Sequence, residues 1–265
     1  MTPQKLPDYK SPPVVEIVAA IQFSPLPRFG MAEAITVARA FEGFTVVDVP
    51  PAFAPIIELP PGEPPRQSFK LDFGSPPIRL VLESSDHRWL VQLQQDRIAV
   101  HERRVKNRPS FRHVRPRVKK ITAQASEALG RQLLSKEIHP PELVELIYVN
   151  RVPGDRALKA PAELHKVIKV LSGEPEGFEI EQISVGFSSI LETKGGDFAG
   201  RLHVQAEPSL NPETGVPEAQ IQVISRRYVH QRAWATVLGE CHTDIVEGFT
   251  AVTTSRMHEV WQRYQ

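Results

Sequence analysis

The hydrophobic and polar positions of this chain alternate in patterns that change period several times. Val14 to Phe23 is apolar at every position except Glu16 and Gln22, which predicts a buried strand. Met31 to Phe41 has helical spacing, with Ile35 and Phe41 among its apolar positions, and Thr45 to Val49 is a short β run. Ser68 to Phe73, Ile78 to Leu82 and Trp89 to Gln94 read as further strands, with Asp96-Arg97 as the turn into a strand from Ile98 to Arg103. From Ser110 to Leu134 the residues Phe111, Val114, Val118, Ile121 and Ala125 recur at steps of three and four, predicting a long helix capped by Ser110. Pro116 falls inside that stripe, so the helix either begins there or is kinked there.

The pattern then starts again. Pro12-Pro13-Val14-Val15-Glu16-Ile17-Val18 returns as Pro140-Pro141-Glu142-Leu143-Val144-Glu145-Leu146-Ile147. A strand from Leu143 to Val149 leads to a helix opened by Pro161, with Leu164, Ile168 and Leu171 on one face. Strands follow at Phe178 to Leu191, Arg201 to Ala206 and Ala219 to Tyr228, with a polar loop from Glu207 to Pro217 between the last two. A second long helix is expected from Trp234 to Tyr264, with Leu238, Cys241, Ile245, Phe249 and Val252 on one side. A period this long, seen twice, predicts a tandem duplication into residues 1–136 and 137–265. The expected class is α+β: two β-α-β-β-β-(β)-α units, their antiparallel strands in two sheets or one, with two long helices packed on one face. That order resembles the repeat of the TATA-binding-protein-like fold, in which two units form a saddle; such a likeness carries no function.

Composition narrows the class further. At 41% hydrophobic and 24% charged, the chain is expected to fold around a sizeable core. Its 25 prolines exceed the usual share of about 5%, and most punctuate elements; the run from Pro50-Pro51 to Pro64-Pro65 predicts a long loop. The start lacks the pattern of a secretory signal, and no stretch approaches the roughly 18 apolar residues that span a bilayer, so a cytoplasmic protein with no membrane partner is expected. The single Cys241 excludes an internal disulfide and a cysteine-only metal site. The nine histidines are scattered without metal-ligand spacing, so neither metal nor cofactor is expected.

Charge is less evenly spread than the net +1 suggests. Nine basic residues and no acid lie between Arg103 and Lys120. Of these, Arg103, Arg104, Lys106, Arg108, Arg112, Arg115 and Lys119 are candidate phosphate contacts for a nucleic acid, and Arg112, Arg115 and Lys119 share one side of the predicted helix. The other reading is a solvated helix face balancing acid elsewhere. Aromatic residues for base stacking are scarce nearby, since only Phe111 is close and it belongs to the apolar stripe. Glu16 and Glu145 interrupt hydrophobic strands at near-equivalent places in the two copies. Each is expected to pair with a basic residue of a long helix or to face water, with a catalytic carboxylate pair as the remaining reading. Cys241 and His242 would point about 100° apart on a helix and form no nucleophile–base pair. His203, beside Arg201 on a polar strand face, reads as surface, and Gly195-Gly196 as a hairpin turn.

Several short motifs together resemble a sporadically distributed, functionally uncharacterised bacterial family of similar length. They are Pro12-Pro13-Val14-Val15-Glu16 with Ile21-Gln22-Phe23, then Leu93-Gln94 with Asp96-Arg97, and finally His242, Ile245, Phe249, Thr253, His258 and Trp261. The chain departs from the family pattern at Val100-His101-Glu102-Arg103, where an Asn-Trp-Arg-like continuation is expected. The resemblance implies a bacterial origin and supplies no activity. Patchy distribution is associated with mobile and defence genes, including antitoxin-like partners. The function expected is therefore non-catalytic binding: a two-lobed scaffold for a partner protein, in a toxin–antitoxin or defence setting. The alternatives are nucleic-acid binding through residues 103–120 and an enzyme using Glu16 or Glu145 in a cleft between the copies.

Overall fold

A single antiparallel sheet of nine strands carries the chain in a computed structural model that describes residues 5–27, 29–63, 77–135, 137–154, 160–169, 181–211 and 214–264. In chain order the elements are β1 (Val14–Phe23), α1 (Met31–Ala40), β2 (Phe44–Asp48), β3 (Arg79–Ser84), β4 (Trp89–Gln94), β5 (Arg97–Arg103) and α2 (Phe111–Ala128). There follow β6 (Pro141–Pro153), a 3-10 helix (Pro161–Lys166), β7 (Val185–Glu192), β8 (Phe198–Leu210), β9 (Pro217–Tyr228), α3 (Trp234–Val252) and α4 (Ser255–Val260). The strand order is β2-β3-β4-β5-β1-β6-β9-β8-β7, so β1 and β6 lie side by side at the centre. Of the two arrangements expected, the continuous sheet is the one formed. Among the described residues no helix is long and apolar enough to cross a membrane.

Strand alternation sorts the side chains onto two faces. Ile17, Ala19 and Ile21 of β1 join one buried cluster with Val144 and Leu146 of β6, Val118 and Ile121 of α2, and Leu238, Cys241 and Ile245 of α3. This helix-covered side is the main core. Intervening residues face the other way, where Val18, Ala20 and Ala99 form only a small apolar cluster among charged neighbours. The apolar stripe of α2 is buried at the expected positions, and Ser110 caps the helix by accepting from the Arg112 amide at 3.3 Å. Pro116 lies within the helix, which begins at Phe111.

Several boundaries differ from expectation, each for a local reason. α2 stops at Ala128 rather than Leu134, because Gly130 turns left-handed (φ +58°) and the Leu133 amide is taken by Ser126 Oγ. The predicted helix from Trp234 to Tyr264 is broken at Thr253-Thr254. Residues 167–169 bond there edge to edge, through Lys169 N–H to Val252 O and Thr254 N–H to Val167 O, and draw the backbone extended. Thr254 then caps α4. β8 and β9 extend into the expected loop, to Leu210 and from Pro217. In α1 the buried face is Ala34 and Val37, and Ile35 is exposed. The segment from Pro161 is a 3-10 helix, with Leu164 and Ile168 buried. The predicted strand Ser68–Phe73, the Pro64-Pro65 end of the proline run, Leu171 and the start of the strand expected from Phe178 lie outside the described residues.

Gly200 marks a close approach between β8 and β9. Its φ is +149°, and a Cβ there would sit 1.9 Å from the Arg226 carbonyl oxygen. Gly200→Ala must strain the backbone and push the two strands apart. The expected loss is about 2–4 kcal/mol of stability, read as a lower urea midpoint by far-ultraviolet circular dichroism.

Candidate nucleic-acid interface

The face of the sheet opposite the helices is charged but closed by its own partners. Glu145 of β6 is 2% exposed and lies between Arg97 of β5 and Arg226 of β9, which donates from Nε at 2.7 Å. Arg226 also donates to Glu58 at 3.0 Å. Arg201 and His203 of β8 complete the shell of Glu58 at 2.9 and 2.8 Å. Burial by itself raises the pKa of Glu58. Hydrogen bonds from His203, Arg201 and Arg226 outweigh it and lower the value from 4.5 to about 2. Glu16 bonds His101 at 2.8 Å, with Arg103 3.6 Å away. Its pKa is lowered too, since His101 and Arg103 together outweigh burial.

The segment around Glu58 lies across this face and is held by its main chain. Gln94 donates to and accepts from the backbone of Phe53, Gln22 does the same at Ile56, and the Tyr228 hydroxyl does so at Glu58. Part of the proline-rich loop is thus an ordered strap over the sheet. Glu16 and Glu145 are expected from sequence to pair with a basic residue of a long helix or to face water, and they do neither. Their partners come from other strands of the sheet, His101 and Arg103 for Glu16 and Arg97 and Arg226 for Glu145, because both point away from the helices. The carboxylate that does meet α2 is Glu102, fully buried, which accepts from the Ser110 amide and bonds His113. Glu16 and Glu145 are not brought together: Glu145 pairs in register with Ala20, four residues along β1 from Glu16, about 13 Å at strand rise. His203 is no isolated surface histidine, since it bridges Glu58 and Ser188.

On the helix side several cations gather round one concavity, where Arg151 is held by Glu218 at 3.2 Å and His113 by Glu102, while Lys10, Arg104, Arg108 and Arg112 form no ion pair among the described residues. Lys10, Arg104, Arg108, Arg112, His113 and Arg151 line one open pocket of about 840 Å³, with no carboxylate among its lining residues. Its floor is Met257, Val260 and Trp261. The helix break at Thr253-Thr254 places them there by turning α4 away from the line of α3. Residues 8–11 are tied to the C-terminal segment by Lys10 N–H to Gln262 O and Ser11 N–H to Trp261 O, which fixes Lys10 at the rim. Arg151 comes from the end of β6 and Arg104 from just beyond β5.

A second chamber of about 430 Å³ adjoins this pocket and shares Pro12, Arg108, Ser110 and Arg112 with it. Its walls are aromatic. Phe111 stacks on His242 with centroids 4.2 Å apart and planes 13° apart, and Tyr9, Tyr148 and Tyr264 also line the space. Tyr148 bonds His242 Nδ1 at 3.0 Å. Burial lowers the His242 pKa to about 4, so the ring is neutral at physiological pH. Burial, with the charge of Glu102, raises that of Tyr148, so the hydroxyl stays protonated beside the imidazole.

Of the basic residues predicted as phosphate contacts, Arg104, Arg108 and Arg112 meet in the pocket. Arg103 instead turns to the strap side, where it bonds Glu83. Lys106, Arg115 and Lys119 are exposed but do not line the pocket. Lys10, His113, Arg151, Tyr9, Tyr148, His242 and Tyr264 were missed, because they join the site from segments far apart in sequence and no periodicity links them. Cys241 is buried in the apolar stripe, its thiol pushed up to about 12 mainly by burial, while Asp244 binds Arg227 and Ser225. The two side chains have different neighbours, the Cys241 thiol lying against the Val144 carbonyl and the His242 ring against Phe111 and Tyr148. Gly195-Gly196 sits in the turn joining β7 to β8. Among the described residues no cluster of His, Cys, Asp and Glu could hold a metal ion. No protein-family model matches the chain, and no curated protein matches it.

The Glu58 cluster makes stability depend on pH with a definite sign. The folded value lies below the unfolded one, so the contribution is complete above about pH 4.5 and is lost as pH falls toward about 2. Urea midpoints are expected to drop between about pH 5 and pH 3. Glu58→Gln is expected to start lower at about pH 6 and to change less over the same interval.

Proposed function

We propose that this chain is a binding protein whose ligand is nucleic acid, held by its phosphates at the basic pocket between α2, the end of β6 and α4. The observation that carries the reading is the convergence of five lysine and arginine side chains, with His113, on one concavity lined by no acid. Cations so placed repel one another, and a polyanion relieves that repulsion while releasing its own counterions. The strap side is more fully paired, since its arginines have carboxylate partners within the chain, whereas in the pocket only Arg151 and His113 do, with Glu218 and Glu102.

A protein partner, in a toxin–antitoxin or defence setting, remains a second reading favoured by a different surface. Met31 and Ile35 of α1 and Val46 of edge strand β2 are each about half exposed and line one apolar groove. Both readings use a duplicated framework of residues 1–136 and 137–265, as in a TATA-binding-protein-like saddle. Its support is the sheet order, in which β5-β1 and β6-β9 flank the centre symmetrically, each pair contacting the long helix of its own half. The likeness to the sporadic bacterial family rests on the sequence motifs alone.

Fluorescence anisotropy with a labelled single-stranded oligonucleotide tests the nucleic-acid reading. Affinity is expected to fall steeply with salt, with a log–log slope of roughly −3 for four to five neutralised phosphates. Arg108→Glu and Arg112→Glu, at exposed positions, are each expected to weaken binding about tenfold or more and to flatten that slope. Binding that ignores both salt and these substitutions sinks the reading.

A further inference from the structure

We infer that the aromatic chamber beside the basic pocket receives an unpaired nucleobase, so that the ligand is single-stranded nucleic acid or a strand end and not intact duplex; this rests on the phosphate-binding reading above. The two cavities share Arg108, Ser110 and Arg112, so a phosphate held at that boundary puts its own nucleoside at the mouth of the chamber. At about 430 Å³ the chamber is within the usual range for small-molecule sites, about 300–1,000 Å³. A base must leave the stack of a duplex to lie within a half-enclosed chamber of this size.

The walls offer ring faces and two polar groups to read an edge. Phe111 and His242 are already stacked, and Tyr264, 55% exposed, stands at the rim with ring surface uncovered. His242 is neutral and its Nδ1 is committed to Tyr148, so Nε2 is the ring nitrogen left for a ligand, as donor or acceptor according to the tautomer. Asn150 is 1% exposed and lines the chamber. Both donors of its amide are used, at 3.4 Å to Tyr148 O and 3.2 Å to Ile221 O, and this fixes the amide orientation. Its Oδ1 is then the amide atom free to accept from a ligand. With Nε2 of His242, it sets two polar groups on a wall of aromatic rings, where they can meet the mixed donor–acceptor edge that every nucleobase carries. The one acid at the chamber, Asp8, is engaged by the Tyr264 hydroxyl and the Tyr9 amide.

The test compares the full chain binding a labelled single-stranded oligodeoxynucleotide, an abasic deoxyribose-phosphate strand of equal length, and the corresponding duplex at one salt concentration. Phosphates are the same in the first two, so their difference reports the base alone. The base-bearing strand is expected to bind roughly 5- to 150-fold more tightly than the abasic one, the size of one stacked base. His242→Ala, and more mildly the surface change Tyr264→Ala, should bring the base-bearing strand down toward the abasic one while leaving the abasic affinity unchanged. Equal affinity for the base-bearing and abasic strands, or tighter binding of duplex, overturns the chamber inference and leaves the phosphate pocket standing. No binding of any of the three removes both.

Discussion

A carboxylate buried in the middle of a β-sheet organises this molecule. Glu145 is taken out of water on the central strand β6, and Arg97 and Arg226 reach it from either side. An ionised group in that position costs several kcal/mol unless it is paired, and removing one partner of a buried pair typically costs about 3–5 kcal/mol. The pairing ties β5 to β6 and β9 across β1, where the small side chain of Ala20 lies opposite Glu145 in register. Arg226 extends the chain of charges to Glu58, and through it to Arg201 and His203 on β8. One connected network thus spans five segments, four of them strands and the fifth the strap.

The network also decides which side of the sheet can bind. Cations committed to internal carboxylates have little left to offer a ligand, and the strap covers the strand surface that a saddle-shaped protein would otherwise present. Most basic residues on the helix side are less committed. They are gathered by backbone geometry, from the ends of β5 and β6 and the start of α2, and of them only Arg151 and His113 meet a carboxylate, Glu218 and Glu102. Two features outside the sheet complete that site. The chain near Tyr9 runs beside the C-terminal segment, and the interruption of the last helix swings Met257, Val260 and Trp261 beneath it. A continuous helix to Tyr264 would carry Trp261 away.

Much of the framework is legible from periodicity. β1 and β4 match the residues read from the apolar pattern, and the stripe Val114, Val118, Ile121 and Ala125 is the buried face of α2. These readings work because burial imposes a period of two on strands and close to 3.6 on helices. The same rule misled at Trp234 to Tyr264, where the apolar spacing runs through Thr253-Thr254 without showing the backbone bonds from residues 167–169 that break the helix. It also misassigned the partners of Glu16 and Glu145. Their place in the strands was evident, but the face each occupies depends on register with β5 and β9.

By itself the sequence determined the α+β class, the antiparallel strands, the positions of the main helices and the concentration of positive charge between Arg103 and Lys120. These follow from local patterning, propensity and charge, which act between residues close in the chain. Tertiary structure alone decided that Arg103 leaves that group for the strap side while Lys10, His113 and Arg151 join it. It alone brought Tyr9, His242 and Tyr264 to Phe111, so that an apparent shortage of aromatic surface beside the basic stretch became a chamber of rings. The physical reason is the same in both cases. Strand register, the direction of each pleat and the meeting of the termini place residues from distant segments side by side, and no local pattern records those distances.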